Sequence, residues 1–155
     1  MKYCLFIIIS FYFWAGNHQQ KSNILHIDIP EIFVDSGESS TIQLMVKVKE
    51  GFHIQANKVD EEYLIPTTLV INSYNNIMIE EQTFPKSKKF RLEGSDEYLN
   101  IYDGNFNISI LFNTDPHIKK GIHNLSATLQ YQACDSKRCF SPKTINLSIP
   151  IKVIN

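Results

Sequence analysis

A period of two runs through this chain and limits it more than any other feature. Leu25, Ile27 and Ile29 alternate with polar neighbours, and so do Ile42, Leu44, Val46 and Val48. The pattern returns at Phe106, Ile108, Ile110 and Phe112, at Leu125, Ala127, Leu129 and Tyr131, and at Ile145, Leu147, Ile149, Ile151 and Val153. Successive side chains of an extended backbone point to opposite faces, so each run reads as a strand with one face buried. Thr67-Thr68-Leu69-Val70-Ile71 after Pro66, and Ile77-Met78-Ile79, add shorter strands, and Gly51-Phe52-His53-Ile54 starts another extended piece. Asp35-Ser36-Gly37-Glu38-Ser39 is a turn cluster, residues 57–63 are polar enough for a loop, and the basic run Lys86-Ser87-Lys88-Lys89 reads as solvated loop. No long segment has a helical period. Many short strands without helices predict an all-β fold, an antiparallel two-sheet sandwich.

With 155 residues, 43% of them apolar and 20% charged, the chain suits one domain with its own core. Fifteen basic against 16 acidic residues give a formal charge of -1, which offers no basic surface for nucleic acid. The start, Met-Lys-Tyr-Cys-Leu-Phe-Ile-Ile-Ile-Ser-Phe-Tyr-Phe-Trp-Ala, is one positive charge followed by an apolar run. It is shorter than the ~18 residues a bilayer span needs, so residues 1–16 read as a secretory leader and 23–155 as the domain. Ala15 suits the position before a cut, whereas Phe13 stands where a small residue is preferred, which leaves the cleavage site open. Cys4 belongs to the leader. Export would leave Cys134 and Cys139 in an oxidising compartment.

These two cysteines have four residues between them, in Tyr131-Gln132-Ala133-Cys134-Asp135-Ser136-Lys137-Arg138-Cys139-Phe140. A disulfide there would close a ring so small that its entropic contribution is only roughly 2 kcal/mol. Two readings stand open: a bond that pins two strands, or one that exchanges with thiols. Exchange needs an accessible sulfur, a leaving thiol of low pKa and a resolving cysteine nearby. Lys137 and Arg138 inside the ring would favour a thiolate, and Asp135 partly opposes them. Tyr131 and Phe140 flank the ring as core aromatics or as a sheltering wall. His18, His26, His53, His117 and His123 are scattered without metal-ligand spacing, and neither a nucleophile triad motif nor a glycine-rich phosphate loop occurs, so no metal or cofactor is predicted.

Taken together, Gly51-Phe52-His53-Ile54-Gln55-Ala56-Asn57, Tyr63-Leu64-Ile65-Pro66-Thr67, Phe84-Pro85, Glu93-Gly94-Ser95-Asp96-Glu97 and the block from Tyr131 through Cys134 and Cys139 to Thr144 resemble the amino-terminal domain of the bacterial thiol-disulfide interchange protein DsbD. The resemblance covers roughly residues 25 to 153. It implies a periplasmic immunoglobulin-like sandwich, monomeric, whose cysteines cycle between disulfide and dithiol, as a component of a protein-disulfide reductase. Cys134 and Cys139 would be that pair, with Cys139 the partner-facing sulfur. Electrons would come from a membrane donor of the DsbD type and pass to oxidised thioredoxin-like proteins, among them disulfide isomerases and cytochrome-maturation proteins. Asp96, Glu97 and Tyr98 match the acidic, aromatic loop that caps the pair in the family. By this reading Asp96 and Glu97 bias proton uptake and Tyr98 shields the sulfurs. Well-studied members place one residue more between the cysteines, and their cap loop is longer. If the protein ends at Asn155, with no polytopic membrane region or thioredoxin-like domain after it, a separate molecule is expected as donor. The rival expectation is a non-catalytic exported binding module with a permanent disulfide.

Overall fold

A computed structural model describes residues 24–72, 74 and 76–155. The leader at 1–16, Cys4 and His18 lie outside the described residues. Twelve strands and no helix occur among the described residues: β1 Leu25–Asp28, β2 Ile32–Val34, β3 Ser39–Val48, β4 His53–Gln55, β5 Thr68–Ile71, β6 Ile77–Thr83, β7 Lys88–Arg91, β8 Tyr98–Tyr102, β9 Asn105–Thr114, β10 Gly121–Tyr131, β11 Ala133–Cys134 and β12 Lys143–Val153.

They form three four-stranded sheets, in the orders β1-β3-β9-β6, β2-β12-β10-β5 and β11-β4-β8-β7. The first two sheets carry the alternating runs. Ile42, Leu44, Ile108, Ile110 and Phe112 of the first share one buried cluster with Leu125, Leu129, Ile149 and Ile151 of the second. This is the all-β, immunoglobulin-like sandwich. Pairing is antiparallel throughout except that β2 runs parallel to β12, through Ile151↔Ile32 to Val153↔Val34. A three-residue strand just past Pro30 carries too little alternation to be read in advance.

The third sheet lies beyond the two-sheet expectation, and it positions the cysteines. Strands β10 and β12 pair in register from Gly121↔Val153 to Tyr131↔Lys143. Past Tyr131 the chain leaves that ladder, and Ala133 and Cys134 pair with Ile54 and His53 of β4. On the far side of β4 comes β8, and then β7 as the edge, with Lys88↔Ile101 through Arg91↔Tyr98. Strand β7 includes Lys88 and Lys89, which corrects the expectation of a solvated loop there. Lysines are common on edge strands because they discourage pairing with other chains.

Candidate functional site

The third sheet buries residues on both faces. Ile54 and Ala133 point into the sandwich core. Strand neighbours alternate in direction, so His53, Gln55 and Cys134 occupy the opposite face. A second, smaller cluster of Leu64, Leu99 and Ile101 covers that side, with Val59, Phe90, Leu92 and Cys139 packed on it. All three residues of β4 are buried.

Cys134 and Cys139 are joined by a disulfide, with Cα atoms 3.9 Å apart. Cys134 is completely buried, while Cys139 is half-buried. The ring is closed by its own backbone: Asp135 N donates to Arg138 O at 2.9 Å and Phe140 N to Ala133 O at 2.8 Å. Asp135 Oδ1 accepts from the amides of Lys137 at 2.8 Å and Arg138 at 2.9 Å. Those two amides hold its carboxyl below the ordinary aspartate range. The side chains of Lys137 and Arg138 face solvent, and the Arg138 guanidinium sits 5.3 Å from the Phe140 ring centre.

Gln55 Nε2 donates to Cys134 Sγ at 3.3 Å and to Cys139 Sγ at 3.5 Å. Its Oε1 is buried without a partner, and so is Nε2 of His53. Leaving a buried polar atom unpaired costs about 1–3 kcal/mol. His53 packs against Phe90 with ring centres 4.1 Å apart and the rings tilted by 45°. Burial pulls its pKa below the ordinary value, and the charges of Asp103 and Asp135 offset this only in part. Neither His53 nor Gln55 stood out as a site residue in the sequence. The available signal was two polar side chains at i and i+2 in an otherwise apolar extended piece.

Next to Cys139 lies a groove of about 220 Å³ lined by Tyr63, Leu64, Leu92, Ser95, Glu97, Leu99 and Gln132 together with the cysteine itself. Tyr63 Oη donates to Glu97 Oε2 at 2.6 Å, which links its two walls. This bond raises the Tyr63 pKa. The loop at 92–97 is tied to the ring by Glu93 N donating to Ser136 O at 2.8 Å. Of the three residues matched to the cap, Glu97 lines the groove. Asp96 is exposed, and Tyr98 is 58% exposed and paired with Arg91 at the sheet edge. Tyr131 is buried in the sandwich core, where burial raises its pKa, and Phe140 packs against that core 6.1 Å from Phe52.

The family model described as "Thiol:disulfide interchange protein DsbD, N-terminal" matches residues 26–149. No curated protein sequence matches. Among solved structures, the N-terminal periplasmic domain of ScsB from Proteus mirabilis is similar at 16% identity and a TM-score of 0.49, over 81% of this chain and 44% of that one. A type I cohesin–dockerin complex from Clostridium thermocellum is similar at 13% identity and a TM-score of 0.47, over 85% of this chain and all of the matched one (100%).

Proposed function

The chain belongs to the family of amino-terminal domains of the thiol:disulfide interchange protein DsbD, and from that premise we propose that it is a periplasmic domain, exported by its leader at 1–16, that relays reducing equivalents through Cys134 and Cys139. The observation that carries this reading is the asymmetry of the disulfide: one sulfur fully buried, the other at a groove. A donor thiolate attacks Cys139 Sγ, a bond forms between the two sulfurs, the Cys134–Cys139 bond breaks, and its electron pair leaves on Cys134. The donor's second thiolate then attacks the donor sulfur of the mixed disulfide and releases Cys139. Two electrons and two protons have passed from donor dithiol to the domain. In the outward half-reaction Cys139 attacks an acceptor disulfide and Cys134 resolves the mixed species.

The donor in this reading is a membrane protein of the DsbD type, and the acceptors are oxidised thioredoxin-like proteins of the periplasm. Glu97 and Tyr63 form the cover that a docking partner displaces, with Asp96 on the same loop as Glu97 and Tyr98 at the start of β8 beside it. The reading is supported by a bond that adds little to stability and by a cover whose two walls are joined by the exposed Tyr63–Glu97 hydrogen bond.

Equilibration with glutathione buffers tests it. A relay is expected to have its midpoint within the range of thiol–disulfide carriers, about -120 to -270 mV. A midpoint well below about -300 mV would mark a permanent bond and leave the exported binding module as the better reading.

A further inference from the structure

Gln55 is held more firmly than its side chain needs for packing. Its backbone N donates to Gln132 O at 2.9 Å and its O accepts from Thr67 Oγ1 at 2.5 Å, so both ends of the residue are fixed. The side chain, fully buried, then reaches both sulfurs with Nε2 while Oε1 goes unpaired. A glutamine kept for structure would satisfy both ends of its amide.

We propose that Gln55 is a catalytic residue of the exchange reaction, donating to the thiolate that forms when the disulfide is cleaved; the inference rests on the relay reading above. When a thiolate attacks Cys139 Sγ, the new sulfur–sulfur bond forms there and the electron pair of the old bond goes to Cys134 Sγ. That charge appears at a site without exposure, where burial disfavours a thiolate and makes it a poor leaving group. The Nε2–H of Gln55 is already aimed at it. A neutral disulfide sulfur is a weak acceptor and a thiolate a strong one, so the bond tightens as the charge develops. An interaction stronger in the transition state than in the ground state accelerates the step. Because the same Nε2 lies 3.5 Å from Cys139 Sγ, it also serves the outward half-reaction, in which Cys139 is the attacking thiolate. The cations of the ring are poorly placed for this work: Lys137 and Arg138 are exposed, and Arg138 lies over Phe140.

Gln55→Met removes the donor and nearly conserves the volume. Cleavage of its disulfide by dithiothreitol is expected to be about tenfold to a hundredfold slower than in the wild-type chain, the range of a hydrogen bond to a charged group. In chains whose Cys4 and Cys139 are alanine, so that Cys134 titrates alone, Gln55→Met raises the Cys134 pKa by about one to two pH units, followed by thiolate absorbance. In the reduced wild-type chain the Gln55 side-chain NH2 resonances move with the thiol titration, a readout independent of whether the variant folds. Equal cleavage rates, an unchanged titration or immobile NH2 resonances each overturn the role of Gln55 and leave the relay standing. A wild-type disulfide that dithiothreitol does not cleave removes the relay itself, and this inference with it.

Discussion

Inside the sandwich, Ile42, Leu44, Ile108, Ile110 and Phe112 meet Leu125, Leu129, Ile149 and Ile151 with almost no exposure, and even the buried Thr114 hydroxyl is satisfied by the carbonyls of Asp35 and Glu38. On the outer face of the third sheet the residues are equally buried, yet His53 Nε2 and Gln55 Oε1 have no partner. Both unpaired side-chain atoms lie on one three-residue strand, beside the disulfide. The sandwich interior is organised for stability, since apolar area removed from water contributes about 25 cal/mol per Å². The third sheet gives up part of that return to keep polar atoms next to sulfur. A fold that needed only packing at β4 would do as well with Ile or Leu at 53 and 55.

The largest effect that can sharpen this contrast comes from Phe112→Ala. Phe112 is fully buried between the sheets, so its truncation is expected to cost about 3–5 kcal/mol in urea unfolding. The folded fraction of the variant should still react with dithiothreitol at the wild-type rate, because the sulfurs sit on a different sheet. A slower disulfide in the folded variant would mean that the two regions are one cooperative unit, and the contrast would fail.

Next comes the double substitution Cys134→Ala, Cys139→Ala. Its ring is small, so the loss of stability is expected at roughly 2 kcal/mol, less than for the core truncation. The domain should stay folded, and electron transfer to an oxidised thioredoxin-like acceptor should vanish. Partner binding retained at full strength together with a much larger loss of stability would favour the binding module with a permanent disulfide.

The two regions also differ in how far the sequence revealed them. The sandwich strands were readable because one face of each is wet, which makes the alternation of runs such as Ile42 to Val48 visible. Strand β4 is three residues long and buried on both faces, so the alternation of His53, Ile54 and Gln55 marks no wet face, and only a short extended piece could be read there. Strand β7 was hidden by its edge lysines, with Phe90 the one half-buried side chain of its four residues. The cysteine pair was evident from its spacing and flanking block. Gln55 was not, because its meaning comes from sulfurs 79 and 84 residues away that only the pairing of β11 with β4 brings close.

His53 tests the same contrast through pH. Burial holds its folded-state pKa below the ordinary 6.5. Between the two values the unfolded chain binds a proton that the native chain does not, so stability is fully present above about pH 6.5 and falls as the pH drops toward the folded value. Urea unfolding at about pH 7.5 and about pH 5 should therefore give a less stable wild-type chain at the lower pH, and His53→Phe should remove that difference. The carboxylates held low, Asp28, Asp60 and Asp135, lose their contribution only below the ordinary aspartate value of 3.8, outside this window. A wild-type stability that does not change between the two pH values would place His53 in a wetter site than its burial implies.

The smallest effect concerns the cover. Tyr63 and Glu97 are both exposed, so their 2.6 Å hydrogen bond competes with water and is worth little net free energy. Tyr63→Phe removes the donor without changing the ring that lines the groove. If that bond holds the cover over Cys139, dithiothreitol should cleave the disulfide about twofold faster in this variant, with unfolding in urea almost unchanged. Glu97→Gln keeps an acceptor oxygen at the same place and should react like the wild-type chain. Acceleration in Glu97→Gln alone would trace the effect to the negative charge repelling the incoming thiolate, and the cover would then act by electrostatics. Equal rates in all three chains would mean that the groove beside Cys139 is already open to a small thiol, and that shielding of the sulfur depends on its own half-burial.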